Sequence, residues 1–334
     1  MQAQFRYVRH QAVAMFGFLA LAVGGVLAEP KWGADYFPNT VLTTQDGKKV
    51  RFYDDLLKGK SVAVNVIYTS CTDECPLETA RMAEVQRLLG DKVGKDIFFY
   101  SISIDPEHDT PQVLKAYAKK FGVSPGWLFL TGNKEEINAL TKKLGLSRTS
   151  DAFNKDGHAS SLMLGIEPSG QWMRNSAVDN PRFLAATISN FNGWSNPLAA
   201  TDYAQAKPLV INRAQLTFES KCASCHAIGG GNKIGPDLRG VTERRDPAWL
   251  ARYIREPDKM LAEGDPTAVM LFAKHKRVIM PNLGLDEEDV TLMITFLKEQ
   301  DRALLQSVAS AKIPAQQAQQ AQQAPHAAHQ HHKP

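Results

Sequence analysis

The four cysteines of this 334-residue chain form two close pairs that differ in spacing. Three residues separate Cys71 from Cys75 in the stretch YTSCTDECP, whereas two residues separate Cys222 from Cys225 in KCASCH. A close pair of thiols either closes a disulfide or holds a metal or cofactor. The different spacings indicate two different chemistries on one chain.

The first 28 residues have the layout of a secretory signal. A basic start with Arg6 and Arg9 precedes an apolar stretch, and VLAEP places small or apolar residues before a cut after Ala28. The alternative is a retained anchor to the inner membrane through residues 11–28, a length slightly short of the about 20 residues of a spanning helix. Both readings predict an exported, periplasmic protein, where disulfides and covalently attached haem are permitted.

Length and charge narrow the class of protein. A chain of 334 residues favours two domains, and 43% hydrophobic residues is ordinary for globular ones. The formal net charge of +4 is close to neutral, and no basic run interleaved with aromatic residues occurs. We therefore expect no nucleic-acid partner.

Residues 31–194 alternate between strand and helix patterns. The apolar, β-branched run 61–68 is typical of a buried parallel strand. Helical patterns cover 76–90 and 110–122, each with a proline in its first turn, and 160–178 reads as a hairpin. This order predicts an α/β domain whose central sheet has helices on both faces.

The rest of the chain divides into three regions. Residues 195–208 are small, polar and bounded by prolines, which is typical of a linker. Residues 209–308 are mostly helical, and 314–334 are a Gln/Ala/His tail that we expect to be disordered. The four tail histidines, at 326, 329, 331 and 332, either capture copper or zinc weakly or are simply solvated.

The second cysteine pair fits the attachment signature of a c-type haem. In CASCH, two thiols spaced to reach the two vinyl groups of one macrocycle precede His226, whose imidazole reaches the iron. The alternative is a plain disulfide with an incidental histidine. We therefore expect Cys222 and Cys225 to bind haem covalently.

The surroundings of CASCH resemble a class I cytochrome c. A helix and a glycine-rich loop frame the motif in FESKCASCHAIGGGNKIGPDLRGV, and Met280 precedes a proline and a helix over 285–300 in RVIMPNLGL and beyond. The resemblance implies an all-α domain, His226 and Met280 as the axial iron ligands, and Pro236 as the residue that orients His226. Histidine–methionine ligation suits electron transfer.

Three other side chains compete for the sixth ligand position. Met260, Met270 and His275 lie in the same domain, but methionines at helical spacing usually belong to the core. The proline-flanked position favours Met280.

The first cysteine pair lies between a buried strand and a helix. A helix N-terminus favours thiolate, so we expect lowered thiol pKa values there. The position is that of the thioredoxin cysteines with one extra residue, and the residues alone leave open a disulfide or a metal site. A third ligand would come from His108 or His158, although each alone is more typical of a solvated or structural histidine.

Four motifs in order resemble the SCO family of copper-binding, thioredoxin-like assembly factors. They are CTDECP, SISIDPEHDTPQVLKAYAKKFG, WLFLTG and GHASSLMLGIEPSGQ, and together they cover about 35–194. The resemblance implies a thioredoxin-like fold and Cys71, Cys75 and His158 as copper ligands. His108 falls at a non-ligand position, and Thr72 stands where the family usually has proline.

The donor set agrees with copper. Two thiolates and one imidazole suit Cu(I), whereas structural zinc normally takes four protein ligands. Asp105 and Asp109 lie near a strand end, where they could help to dock a partner, and we expect Asp109 to cap the next helix.

Three functions follow as hypotheses. The first, implied by the SCO resemblance, is an assembly factor that delivers copper to, or redox-prepares, the copper site of a respiratory cytochrome oxidase or similar cuproprotein. The second is a thiol-disulfide oxidoreductase in which Cys71 and Cys75 form the redox dithiol. The third is a haem electron carrier whose first domain only docks redox partners. A haem transfers one electron, as does the Cu(II)/Cu(I) couple, and this match favours a metallochaperone and electron carrier over an enzyme. The alternative to a redox role for the haem is that the fusion simply tethers the two domains at a shared partner.

Overall fold

A seven-stranded mixed sheet organises the N-terminal half of the protein in a computed structural model that describes residues 32–71, 74–147, 160–195 and 212–323. The strands are β1 Val41–Thr44, β2 Lys49–Arg51, β3 Ser61–Ile67, β4 Ile97–Ser103, β5 Trp127–Gly132, β6 Ser161–Ile166 and β7 Gln171–Ser176. Their order in the sheet is β2, β1, β5, β4, β3, β6, β7. The β3–β4 and β4–β5 pairs are parallel and the others are antiparallel.

Strand β3 lies inside the sheet because its sequence is apolar on both faces. Val64 pairs with Tyr100 of β4 on one side and with Met163 of β6 on the other. Every residue from Val62 to Ile67 is buried. The continuous apolar run therefore forms the buried strand that its pattern predicted.

Helices cover both faces of the sheet. They are α1 Glu74–Leu89, α2 Pro111–Phe121, α3 Lys134–Lys143 and α4 Pro181–Phe191. Helices α1, α2 and α4 pack on one face, while α3 and the helical turn Phe52–Leu57 pack on the other. The predicted α/β thioredoxin-like fold is confirmed.

Two features of this domain differ from the sequence prediction. The hairpin of β1 and β2 was not predicted, because strands of four and three residues are too short to show a period. Helix α1 begins at Glu74, two residues before the predicted start, so Cys75 lies inside its first turn.

The C-terminal half is helical. Its helices are α5 Arg213–Thr217, α6 Val241–Arg244, α7 Pro247–Arg255, α8 Pro257–Ala262, α9 Pro266–Lys274 and α10 Glu287–Gln323. Phe218, just before the CASCH motif, packs against Met293, Phe296 and Leu297 of α10. The predicted all-α class of this half is confirmed.

Helix α10 corrects the prediction for the tail. It continues to Gln323, so residues 314–323 are helical where we expected disorder. Glutamine and alanine are good helix formers, and no glycine or proline interrupts 315–323. Residues 324–334, with the four tail histidines, lie outside the described residues.

Two further predictions fall mainly outside the described residues. They are the signal or anchor at 1–28 and most of the linker at 195–208. In the part of the chain that the structure describes, no helix combines the length and apolar character of a membrane span.

Candidate copper and haem centres

The Cys71/Cys75 pair lies at the junction of β3 and α1. Both side chains are buried, and the backbone N–H of Cys75 donates to Cys71 Sγ at 3.4 Å. The hydrogen bond with the Cys71 side chain, together with burial, raises the pKa of the Cys75 thiol. The expectation of a lowered pKa is therefore wrong for Cys75, because burial and the neighbouring thiol outweigh the helix N-terminus. A soft metal ion would have to displace this proton on binding.

Asp109 stabilises the loop that leads to Cys71 and does not cap a helix. Its buried carboxylate accepts hydrogen bonds from the Thr69 backbone N–H at 3.1 Å and from Ser103 Oγ at 2.5 Å. Thr110 caps α2 instead, since its Oγ1 accepts from the Val113 N–H. The cap prediction for Asp109 is wrong because its side chain turns inward and binds Thr69, which lies two residues before Cys71.

The two candidate histidines differ in what the structure reveals. His108 is at the surface as predicted, with its side chain 71% exposed and Nδ1 2.9 Å from Asp105 Oδ1. His158 lies outside the described residues, so its role as third ligand stays a prediction. Among the described residues, no three potential ligands converge on one point.

Glu78 is a buried acid that sequence reasoning missed. It lies one turn after Cys75 on α1, only 1% exposed, and its Oε2 has no hydrogen-bond partner among the described residues. Burial raises its pKa to about 8, and the negative charges of Glu74 and Cys71 add to the shift. The side chain is therefore largely protonated at neutral pH.

We expect this acid to make the stability of the metal-free protein depend on pH. A raised folded-state pKa means that the native state binds the proton more tightly, so the free energy of unfolding falls as pH rises from about 4.5 to about 8. The loss is on the order of a few kcal/mol, at about 1.4 kcal/mol per unit. Urea unfolding across this range should show the slope in the wild type and a flatter profile in Glu78→Gln. Glu84→Gln on the surface of the same helix is the control, and an equal slope in Glu78→Gln and the wild type would refute the assignment.

The second cysteine pair surrounds a fixed imidazole. His226 Nδ1 lies 2.8 Å from the carbonyl oxygen of Pro236, which leaves Nε2 directed away from that hydrogen bond. Burial lowers the pKa of His226, so the ring is neutral as a metal ligand requires. The Gly235 Cα packs against the same ring so closely that any Cβ there would overlap it.

Asp237 fixes the loop that carries Gly235 and Pro236. Its carboxylate accepts backbone hydrogen bonds from Gly229 at 2.8 Å, from Gly231 at 2.6 Å and from Arg239 at 2.8 Å. Burial would raise the pKa of Asp237, but these donors outweigh it and lower the pKa. The glycine-rich loop therefore holds Pro236 in the position where its carbonyl oxygen accepts from His226.

One large cavity joins the predicted haem residues. Cys222, Cys225, His226 and Met280 all line it, and most of the remaining wall is apolar. His275 lines it as well, whereas Met260 and Met270 do not, so the candidates for the sixth ligand reduce to Met280 and His275. The paired thiols, the clamped neutral imidazole and the apolar wall fit a haem c.

The wall of this cavity includes residues from the first domain. Pro76 and Leu77, which follow Cys75 on α1, line it beside Cys222 and Cys225. Ile234 belongs to the same apolar cluster as the cores of α1 and α4, and Val278 packs against it. The helix that carries Cys75 is thus part of both sites.

Comparison with known proteins agrees with the division of the chain into an α/β half and a helical half. The family model SCO1/SenC matches residues 32–191, and the model Cytochrome c matches residues 211–301. The SCO1 protein homolog of Bacillus subtilis is 33% identical over 141 residues, which are 41% of this chain and 71% of the relative. The chain belongs to the SCO1/SenC family. We call residues 32–191 the SCO domain and 211–301 the cytochrome c domain.

Other SCO relatives match over less of their length. A SCO2-like protein of Rickettsia felis is 34% identical over 134 residues, 39% of this chain and 64% of the relative. For a SCO2-like protein of Rickettsia conorii the identity is 40% over 92 residues, 28% of this chain and 43% of the relative. The chain thus spans less than two thirds of these two relatives.

Solved structures of SCO proteins are also similar to this chain, over a little under half of its length. Copper-bound ScoI of Bradyrhizobium japonicum is 28% identical, with a TM-score of 0.37, over 45% of this chain and 96% of that one. BsSco, described as a member of the Sco family of cytochrome c oxidase assembly proteins, is 29% identical, with a TM-score of 0.38, over 47% of this chain and 92% of that one.

Proposed function

We propose that this SCO-family protein is an exported copper-binding assembly factor with an attached one-electron carrier. The observation that carries the proposal is the buried, adjacent pair of cysteines, Cys71 and Cys75, at the strand–helix junction of a SCO domain. Thiolates are the ligands that Cu(I) prefers, and His158 would complete a three-ligand site. Export to the periplasm is supported by the layout of residues 1–28.

The cytochrome c domain would hold a haem through residues of this chain alone. Cys222 and Cys225 would form the thioethers, and His226, oriented by Pro236, would bind the iron on one side. Met280 is the proposed ligand on the other side, since it lines the cavity and is flanked by proline. A bound haem supplies one-electron transfer at a potential that methionine ligation raises.

The proposed target is the copper site of a respiratory cytochrome oxidase or a similar cuproprotein. Membership of the SCO family supports this choice, as does the match between a one-electron haem and the one-electron Cu(II)/Cu(I) couple. A thiol-disulfide oxidoreductase is the second candidate, favoured by the 3.4 Å approach of the Cys75 N–H to Cys71 Sγ, which keeps the two cysteines close. Reduction of a disulfide takes two electrons and does not need His158.

A copper titration separates these candidates. We expect the reduced, haem-loaded protein to bind one copper per chain tightly, and His158→Ala to weaken binding by roughly 100-fold because a ligand is lost. His108→Ala is the matched control, since that imidazole lies at the surface. Bound copper is measured by metal analysis and by thiolate-to-Cu(II) absorption after subtraction of the haem spectrum. Copper binding that ignores His158 would refute the three-ligand site and leave the oxidoreductase in the lead.

A further inference from the structure

A buried arginine lies where the SCO domain meets the haem cavity. Arg81 follows Cys75 on α1 by six residues, about 9 Å along the helix axis, and is only 4% exposed. Its Nη2 donates to the carbonyl oxygen of Ser220, which belongs to the helical turn just before Cys222. A buried guanidinium is destabilising unless its charge is compensated, so its position at this boundary requires an explanation.

The side chain of Arg81 lies beside the turn that leads into the haem-binding motif. Ser220, whose carbonyl oxygen accepts from Arg81, precedes Cys222 by two residues. Cys222 and Cys225 line the haem cavity together with Pro76 and Leu77 of the helix that carries Arg81. In addition, the buried Nε of Arg81 has no hydrogen-bond partner within the part of the chain that the structure describes.

Two acidic side chains of the same domain, Asp179 and Glu78, lie close enough to attract Arg81. Asp179 is half-buried and therefore partly screened by solvent.

We propose that Arg81 is a positioning residue through which the SCO domain sets the haem potential: it fastens α1 to the turn before Cys222 and places a positive charge at the thioether edge of the haem. The proposal rests on the proposed haem attachment at Cys222 and Cys225. Reduction of the iron adds one electron, so a nearby cation favours the reduced form and raises the potential. Pro76 and Leu77 on the same helix exclude water from that edge, which strengthens the effect.

Potentiometric titration of the full, haem-loaded chain tests the proposal. We expect Arg81→Gln to lower the haem midpoint potential and Arg81→Lys, which keeps the charge, to restore most of it. Arg87→Gln removes an exposed arginine of the same helix and should leave the potential unchanged. Asp179→Asn removes a negative charge near Arg81 without touching the core, so the potential should rise, and this variant decides the question if Arg81→Gln does not fold.

The outcomes separate this proposal from the proposed function. Equal shifts in Arg81→Gln and Arg81→Lys would show a packing effect only and would overturn the electrostatic role, as would the absence of any shift in Arg81→Gln or Asp179→Asn. A wild-type protein that carries no covalent haem would instead overturn the proposed function. A normal haem spectrum with a charge-dependent potential supports both.

Discussion

Replacement of Cys75 with serine is expected to abolish tight copper binding and to leave the haem spectrum intact. Cys75 lies inside the first turn of α1 with no exposed surface, and its N–H contacts Cys71 Sγ. A hydroxyl is a hard, weak ligand for Cu(I). Loss of a group that only supports a metal ligand costs about 10–100-fold in affinity, so we expect loss of a ligand itself to cost more than about 100-fold. The measurement is competition for Cu(I) against a chelator of known affinity.

The reciprocal variant controls for damage to the fold. Cys222→Ser removes one thioether position in the cytochrome c domain and should impair covalent haem attachment without changing copper affinity. Circular dichroism of both variants should match the wild type, since each replaces one sulfur atom with oxygen. Retention of tight copper binding by Cys75→Ser would contradict the assignment of this cysteine as a ligand.

Replacement of Gly235 with alanine is expected to disrupt the haem site more than any change of equal size elsewhere in the cavity. The new Cβ would overlap the His226 ring, and Gly235 cannot retreat easily because its N–H donates to the Cys225 carbonyl at 2.8 Å. Overpacking of this kind costs about 1–3 kcal/mol and would tilt the imidazole away from the Pro236 carbonyl. We expect a lower yield of haem-loaded protein and loss of the low-spin spectrum.

Gly264→Ala is the matched control for this prediction. Both positions are glycines of loops in the cytochrome c domain, but no atom lies within 4 Å of a Cβ built at Gly264. Its positive φ of 77° makes alanine unfavourable for the backbone, so the control carries a stability cost without touching the histidine. If Gly235→Ala gave an unchanged yield of low-spin haem, the site would tolerate the extra carbon beside His226 and the prediction would be wrong.

The amino-acid sequence by itself determined the two fold classes and predicted a different chemistry for each cysteine pair. The spacing C-x-x-C-H predicts attachment to one macrocycle, and the apolar run at β3 predicted a buried strand, because both depend only on residues near one another in the chain. The motifs quoted around Cys71 and Cys75 were enough to indicate the SCO family. His158 was identified in the same way, and it stays a prediction because it lies outside the described residues.

Only the tertiary structure decided which side chains support these sites. Asp109 reaches Thr69 across 40 positions and Arg81 reaches Ser220 across 139, and no local period or motif encodes such contacts. Folding raises the pKa of Cys75 through its hydrogen bond with Cys71 and through burial, and it raises the pKa of Glu78 mainly through burial. The sequence predicts the residues of the two sites, while packing between distant segments sets the orientation and electrostatic surroundings of those residues.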